Sequence, residues 1–158
     1  MNEWKCYKLN EISFFNNGIN FDKSAHTSGV KLIGVSDFKN RKHPGYDSLQ
    51  EVDSKVIKSG DYLEKGDIVF VRSNGNKELV GRCMMIDRNI PVTYSGFCIK
   101  LRLKDKKRFE PVFSIICLGQ DNLKRQWQEL PESYSEESII QYRDALYNYV
   151  SQNYSGMA

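Results

Sequence analysis

Two apolar runs with a short polar loop between them constrain the fold of this chain more than any other feature. The run Ile68–Val71 has the composition of a buried strand and leads directly into the polar residues 72–77. A second apolar run covers residues 79–86 and is interrupted by Gly81 and Arg82. The pattern predicts two strands of a β-sheet joined by a polar loop.

Further strands are predicted on both sides of this pair. Residues 30–35 are mostly apolar, and residues 93–103 alternate with a period of two, as expected for strands. In the second segment the alternation places one set of side chains inward, namely Phe97, Ile99, Leu101 and Leu103. It places Lys100 and Arg102 on the other face of the sheet.

Helices are predicted towards both ends of the chain. Residues 9–15 fit a short helix that residues 16–18 stop, because Asn-Asn-Gly is a strong helix terminator. Pro111 suits the first position of a helix that Gly119 could close. The segment 133–136 has the Ser-x-x-Glu spacing of a capping box, and an apolar, Tyr-rich helix face follows it.

These elements together predict the fold class. We expect an α+β domain with a twisted, mainly antiparallel β-sheet, a short N-terminal helix and a longer C-terminal helix. Residues 1–130 are expected to form one domain. Residues 131–158 are expected to form a helical segment that packs on this domain or mediates assembly. The length of 158 residues suits a single domain.

Composition excludes several classes of protein. No apolar run approaches the roughly 20 residues that span a bilayer, and the N-terminus lacks a signal-peptide pattern, so we expect a cytoplasmic protein. The four cysteines form no C-x-x-C pair, and the two histidines lie near no cysteine cluster. Buried free thiols are therefore favoured over a metal or redox site, and no cofactor is expected.

The net charge of +3 is unevenly distributed along the chain. Residues 1–109 hold 20 Lys and Arg against 13 Asp and Glu, whereas residues 110–158 hold 3 against 7. The densest basic segment is 100–108, with six cations and one acid. A basic body with an acidic tail favours different partners at the two ends. For residues 104–108, a solvated turn remains an open alternative.

Polar and basic loop residues are the candidates for binding. The loop 72–77 combines Arg, Ser, Asn, Gly and Lys, which include the side chains that contact base edges and phosphates. Arg82 and the basic loop 39–43 could reach a nucleic-acid backbone, and the bend at Tyr94-Ser95 could let a phosphate come close. A plain hairpin loop, surface cations and a β-bulge explain the same patterns. The candidate contacts are Lys39, Arg41, Lys42, Arg72, Ser73, Asn74, Asn76, Lys77, Arg82, Tyr94 and Ser95.

Catalytic patterns are weak by comparison. Asp61 and Asp67 lie near a strand, yet no second carboxylate or histidine follows at a spacing that suits metal binding or acid–base chemistry. The chain contains no Gly-rich phosphate loop and no G-x-S-x-G motif. The sequence therefore favours a binding protein over an enzyme.

The order of the motifs resembles a known family. The segments are LxxGDIVFVRS from Leu63, LVGR from Leu79 and GFxIxLR from Gly96, preceded by YKLNEI from Tyr7 and IGVSDF from Ile33. In this order they resemble target recognition domains of type I restriction-modification specificity (S) subunits. The resemblance covers about residues 4–118.

The resemblance implies a function as well as a fold. An S subunit carries two such domains joined by long helices, binds methyltransferase and endonuclease subunits, and recognises a bipartite DNA site. This chain would then be a non-catalytic, sequence-specific double-stranded DNA recognition module, either a specificity subunit or a half-subunit. Adenine methylation from S-adenosylmethionine would belong to a partner. The loop residues 72–77, Arg82 and the 94–95 bend would form the reading surface.

The C-terminal part departs from the family pattern. There is one recognition domain, and residues 133–153 are too short for the long spacer helices. The chain could dimerise through this segment, which would make a homodimer of half-subunits. A second function remains open, in which a protein-interaction domain with the same fold acts as a regulator or a decoy of a restriction complex.

Overall fold

Two β-sheets and several short helices make up the computed structural model, which describes Tyr7 and residues 9–20, 29–39, 41–72 and 76–119. The α-helices are α1 (Leu9–Ile12) and α2 (Pro111–Leu118). The strands are β1 (Ser13–Asn17), β2 (Val30–Ile33), β3 (Gln50–Val52), β4 (Ile68–Val71), β5 (Cys83–Met85), β6 (Val92–Tyr94) and β7 (Cys98–Leu103). Single 3₁₀ turns cover Val35–Asp37, Tyr46–Ser48, Ser54–Val56, Ser59–Asp61 and Lys77–Leu79.

The larger sheet is antiparallel throughout. Its strand order is β1-β7-β4-β5, so β4 and β7 occupy the centre. In the central pair, Ile68 lies opposite Leu101 and Val71 lies opposite Cys98. This register brings the end of β4 beside the beginning of β7.

The smaller sheet has the strand order β3-β2-β6. Its β2–β3 pair is antiparallel, whereas the β2–β6 pair is parallel. The sequence led us to expect a single sheet, whereas the structure divides the strands between two sheets. The α+β class with mainly antiparallel strands is confirmed.

Strand β4 is buried on both faces. Ile68 and Phe70 belong to a core that includes α2, whereas Val69 and Val71 belong to a second core shared with β2 and β6. All four side chains have no solvent-exposed area. A strand covered on one face only would alternate between apolar and polar residues, so burial on both faces explains the uninterrupted apolar run.

The second apolar run is not one continuous strand. Residues 79–86 begin at the end of a 3₁₀ turn, pass through Gly81 with φ of +81°, and form a strand only over Cys83–Met85. The Gly81 N–H donates to the carbonyl oxygen of Val71 at 3.0 Å. Because a positive φ favours glycine, the interruption visible in the sequence marks a tight turn.

The alternating segment 93–103 is also divided. Residues 95–97 form a turn, so β6 pairs in the smaller sheet and β7 pairs in the larger one. The expectation that Phe97 points inward is wrong, because its side chain is 60% exposed. Ile99, Leu101 and Leu103 do point into the core, as predicted.

The N-terminal helix is shorter than predicted. It ends at Ile12, and Ser13–Asn17 forms β1, which pairs along β7. Helical spacing placed Leu9, Ile12 and Phe15 on one face, and all three pack on the same core although only the first two are helical. Pairing with a central strand has overridden the local helical pattern.

Helix α2 agrees with the prediction at both ends. Pro111 occupies its first turn, the side chain of Glu110 accepts a hydrogen bond from the Phe113 N–H at 2.8 Å, and Gly119 follows its last residue. No helix among the described residues is long and apolar enough to cross a membrane. The predicted helix within residues 131–158 and the boundary at residue 130 lie outside the described residues.

Candidate nucleic-acid interface

One end of the larger sheet gathers residues from all four strands. We call it the Arg72 end and define it by Asn17, Arg72, Arg82 and Phe97. Arg72 follows β4, Arg82 precedes β5, Phe97 precedes β7 and Asn17 ends β1. Antiparallel pairing places these positions side by side. Since neighbouring strands lie about 4.8 Å apart, the four residues span roughly 15 Å.

Arg72 holds two other segments at this end. Its Nη1 donates to Asn17 Oδ1 at 3.1 Å, and its Nη2 donates to the Gly96 carbonyl oxygen at 2.8 Å. Its backbone N–H donates to the carbonyl oxygen of Phe97 at 2.9 Å. The predicted contact residue Arg72 therefore also organises the turn between β6 and β7.

The described residues of the basic loop 39–42 lie along β5, and the loop starts near Arg82. Arg82 Nη1 donates to the carbonyl oxygen of Phe38 at 3.1 Å, although the two residues are 44 positions apart. The Met85 N–H donates to the carbonyl oxygen of Lys42 at 2.8 Å. These bonds align the loop along β5, which is an edge strand. The exposed cations in it are Lys39, Arg41 and Lys42.

The Cys83 thiol, at the start of β5, is buried and is influenced by the positive charge of Lys42. Burial raises the pKa of Cys83 to about 12, and the nearby positive charge of Lys42 acts in the opposite direction. At neutral pH the thiol is therefore protonated, and it is no reactive nucleophile.

Two predicted contacts lie inside the domain, and we correct the expectation for them. Tyr94 has no exposed area, and its hydroxyl donates to the carbonyl oxygens of Asn16 and Asn17 at 3.2 and 3.3 Å. Burial also raises the pKa of Tyr94, so the hydroxyl remains a donor. Ser95 is 7% exposed. Both residues support the Arg72 end from within, since neither presents its side chain to a ligand.

The loop after Arg72 is described only in part. Ser73 and Asn74, with the glycine after them, lie outside the described residues. Asn76 is exposed, and its Oδ1 accepts a hydrogen bond from the Glu78 N–H at 3.0 Å. Lys77 begins the 3₁₀ turn that leads towards β5. The loop therefore starts and ends at the Arg72 end, while the contacts proposed for its side chains remain predictions.

A turn anchored by its neighbours completes this end. The Gly96 N–H donates to the Ile19 carbonyl oxygen at 2.7 Å, and the Ile19 N–H donates to that of Tyr94 at 3.0 Å. The Gly18 N–H donates to the Cys98 carbonyl oxygen at 3.1 Å. The chain after β1 thus crosses directly over the turn between β6 and β7. The 94–97 bend therefore has a second backbone segment packed directly against it.

We expect Gly18→Ala to destabilise the domain by about 1–3 kcal/mol, the usual cost of overpacking a rigid site. A Cβ atom at Gly18 would lie 2.1 Å from the Ser95 carbonyl oxygen and 2.5 Å from that of Tyr94. Both are backbone atoms, so the crossing itself must shift. Denaturant unfolding measures the change.

The matched control is Gly60→Ala, because no atom lies within 4 Å of a Cβ placed there. We expect its free energy of unfolding to stay within about 0.5 kcal/mol of the parent, as for ordinary surface substitutions. Equal stability of the two variants would contradict the close crossing at Gly18.

The opposite end of the sheet is organised around a buried carboxylate. Arg102 Nε donates to Asp67 Oδ1 at 2.9 Å, and its Nη2 donates to Asp67 Oδ2 at 2.7 Å. Asp67 has no exposed side-chain area, and its hydrogen bond to Arg102 raises the pKa of that guanidinium. Arg102 Nη1 also donates to Glu64 Oε1 at 2.8 Å. This arrangement is a bidentate ion pair that holds the segment before β4 in place.

Lys100 is a second cation with internal partners. It is 2% exposed, and its Nζ donates to the Gly60 carbonyl oxygen at 2.7 Å. Burial, followed by the neighbouring charge of Arg102, lowers the pKa of Lys100. The sequence correctly placed Lys100 and Arg102 on the face opposite the apolar set. That face is covered by residues 60–67 instead of facing solvent.

Three further cations of the basic segment also contact the domain itself. Lys104 Nζ donates to the Asn10 carbonyl oxygen at 2.7 Å, and Lys106 Nζ donates to that of Lys65 at 2.6 Å. The guanidinium of Arg108 lies 4.8 Å from the ring centroid of Tyr7 and hydrogen-bonds its hydroxyl. The densest cluster of positive charge in the sequence is thus largely used in internal contacts, far along β7 from the Arg72 end.

Sequence reasoning missed Asn17 and Phe97 as members of this end. Asn17 was interpreted as part of a helix terminator, and Phe97 as a core residue. The bend already predicted around Tyr94 and Ser95 was the signal that could have changed the second interpretation. Among the described residues, no group of three or more His, Cys, Asp or Glu side chains is placed to hold a metal ion.

Comparison with known proteins gives a likeness in structure only. No family model and no curated protein matches the sequence. The HsdS subunit from Thermoanaerobacter tengcongensis matches 92% of this chain with a TM-score of 0.59 and 14% identity. A type I restriction-modification S subunit from M. genitalium matches 92% at a TM-score of 0.49, also with 14% identity.

The described chain therefore has the fold found in part of a specificity subunit, consistent with a target recognition domain. It spans about a third of the length of those two proteins, 35% and 38% respectively. At this level of identity the likeness establishes the fold alone, so function is a separate step.

Proposed function

We propose that this protein is a sequence-specific double-stranded DNA recognition module of a type I restriction-modification system. The observation that supports this proposal most is the hydrogen bond between Arg82 and Phe38. It joins the start of the basic loop to the Arg72 end, although the two segments are distant in sequence. Arg72, Arg82 and the loop 39–42 then form one cationic surface from strands and loops that are distant in sequence. DNA binding draws most of its affinity from such phosphate-facing charge.

Exposed cations beside β5 support this surface. Arg72 and Arg82, like Lys100 and Arg102, also make hydrogen bonds within the domain. Lys39, Arg41 and Lys42 are exposed in the loop beside β5. Ser73, Asn74, Asn76 and Lys77 follow Arg72 in the sequence, and we keep them as proposed base or phosphate contacts. Tyr94 and Ser95 are not proposed again.

The proposed module is non-catalytic and acts through other subunits. DNA cleavage and adenine methylation are assigned to endonuclease and methyltransferase partners, with S-adenosylmethionine used by the latter. The acidic residues 110–158 suit a contact with protein more than a contact with DNA. A homodimer through the C-terminal segment remains part of the proposal, as does a cytoplasmic location.

A protein-interaction role is the second candidate, and one observation favours it. Val112, Phe113 and Ile116 of α2 are 50%, 56% and 45% exposed, which is a small apolar patch. A domain that had lost DNA recognition could use this patch to regulate a restriction complex. Salt dependence separates the two functions, because phosphate contacts weaken steeply between about 50 and 200 mM salt.

The decisive experiment is selection of the purified chain against a random duplex library at moderate ionic strength, followed by sequencing of the bound pool. A recognition module enriches a motif of a few base pairs. A bound pool without an enriched motif, or no bound pool, would reject sequence-specific recognition and favour the protein-interaction role.

We expect the double variant Arg41→Ala/Lys42→Ala to bind the selected duplex with a smaller salt dependence. If both cations contact phosphates, the slope of log K against log salt falls in magnitude by about 1.8, since each contact contributes about 0.9. Affinity measured at several salt concentrations gives this slope.

The control removes two exposed cations from the opposite end, Lys65→Ala/Lys107→Ala. It changes the net charge by the same amount and should leave the slope unchanged. An equal change in both variants would mean that overall charge, and not the loop beside β5, governs binding.

A further inference from the structure

Phe97 combines high exposure with a fixed position. Of the large apolar side chains that the structure describes, it is the most exposed, at 60%. The residues on both sides of it are buried, since Gly96 lies under the chain crossing and Cys98 has no exposed area. A single exposed apolar residue is ordinary on a protein surface. Its meaning here depends on its surroundings.

The backbone around Phe97 is anchored from three directions. Its carbonyl oxygen accepts the Arg72 N–H at 2.9 Å, and the Gly96 carbonyl oxygen accepts Arg72 Nη2 at 2.8 Å. The Gly96 N–H donates to Ile19, and the Cys98 N–H donates to Ser95. The exposed ring is therefore carried on a turn that has little freedom to move, so placing it against a ligand costs little conformational entropy.

The position of the turn connects Phe97 to the proposed DNA surface. It lies beside Arg72, which follows the neighbouring strand β4, and two strands from Arg82. Cations on either side would bring a duplex to this end and leave an aromatic ring between the phosphate contacts. A side chain without a donor or acceptor recognises base edges through apolar contact. In the major groove, the apolar group on the base edges is the C5 methyl of thymine.

We propose that Phe97 is a specificity-determining residue that recognises a thymine methyl group in the major groove of the bound duplex. The inference rests on the proposed function, because it assigns one base preference within that DNA site. This proposal adds an apolar contact to a surface whose other proposed contacts are all polar or basic residues. The neighbouring Arg72 is a positioning residue for this contact, since it holds the turn.

The test uses the purified full chain and the duplex enriched by selection. Phe97→Ala should weaken binding to that duplex about tenfold, as expected for loss of an apolar contact of this size. Replacing the contacted thymine by deoxyuridine removes only its methyl group, and should weaken the parent protein roughly threefold to fivefold. The same replacement should have no effect on Phe97→Ala, because the contact is already lost.

Two further variants separate this contact from general effects. Phe113→Ala removes a ring of nearly equal exposure, 56%, from α2. α2 begins near Gly66, at the other end of β4, where a Cβ at Gly66 would lie 3.2 Å from Pro111 Cγ. This variant should bind as the parent does. Phe97→Leu keeps an apolar side chain and should retain most of the affinity and the thymine preference.

Each outcome decides the inference. Unchanged binding by Phe97→Ala, an enriched site without thymine, or equal deoxyuridine effects in both proteins would overturn the methyl contact while DNA recognition stands. A fluorescence increase from 2-aminopurine beside the contacted thymine would indicate base unstacking, and would also overturn it. Absence of any enriched motif for the parent protein would overturn the proposed function and this contact together.

Discussion

Replacing Asp67 by alanine is expected to lower the free energy of unfolding by about 3–5 kcal/mol, the typical cost of breaking a buried ion pair. Asp67 has no exposed side-chain area and accepts Arg102 Nε and Nη2 at 2.9 and 2.7 Å. Asp67 Oδ2 also accepts a hydrogen bond from the Glu64 N–H at 2.8 Å. Alanine leaves the partly buried guanidinium uncompensated and the turn before β4 without its cap. Equilibrium unfolding in urea measures the loss.

Glu64→Ala is the matched control, because its carboxylate contacts the same guanidinium at 2.8 Å but is 61% exposed. We expect it to cost at most about 1 kcal/mol, as exposed ion pairs do. Removing both partners in Asp67→Ala/Arg102→Met should recover part of the stability lost in Asp67→Ala, since no unpaired charge remains. Similar losses for the Asp67 and Glu64 variants would contradict the central role of the buried carboxylate.

Phe70→Ala is expected to destabilise the domain by about 3–5 kcal/mol. Phe70 has no exposed area and lies in the middle of β4, in the core that also holds Ile99, Leu101 and Ile115. The neighbouring strands and α2 can move only slightly into the cavity that the ring would leave. The contacts of the ring are therefore lost and not replaced. Thermal and urea unfolding both report this change.

The control for Phe70 is the exposed ring of Phe113, whose truncation to alanine should change stability by no more than about 0.5 kcal/mol. A small effect of Phe70→Ala would mean that the two-sided burial of β4 is looser than its zero exposure indicates. A large effect of Phe113→Ala would mean that α2 buries this side chain in solution.

Local signals were sufficient for part of the fold. The uninterrupted run Ile68–Val71 predicted a buried strand, and Pro111 with Gly119 predicted the helix between them; both are confirmed. These predictions succeed because burial on both faces and helix-end chemistry leave direct marks in composition. The mainly antiparallel α+β class followed from the same kind of pattern.

Tertiary pairing accounts for what the sequence could not predict in the fold. Residues 13–17 form a strand because β7 supplies backbone partners, and nothing in their spacing encodes that neighbour. Lys100 and Arg102 reach partners 35 to 40 positions away, Gly60 and Asp67, so their burial was invisible from alternation alone. Long-range hydrogen bonds of this kind depend on sheet order, which local periodicity does not determine.

The candidate site was predicted in outline and revised in detail. Arg72, Arg82 and the loop 39–42 were named from residue type; Arg72 and Arg82 end or begin neighbouring strands, and the described loop residues lie along β5. Tyr94 and Ser95 were named from a bend motif, yet their side chains lie inside the domain. Phe97 was assigned to the core because strict alternation was extended across the turn. Residue type alone suggested the candidates, and the topology showed which of them lie near one another; their contacts with DNA stay a prediction.

Strand β4 connects two differently organised ends of the larger sheet. Before it, Asp67 holds a buried ion pair; after it, Arg72 bonds to Asn17 and Gly96. The strand between them has no exposed side chain, so it can contact a ligand only through the residues at its two ends. Substitutions at the exposed residues Lys39, Arg41 and Lys42 therefore change the surface beside β5 and leave the buried side chains of β4 in place.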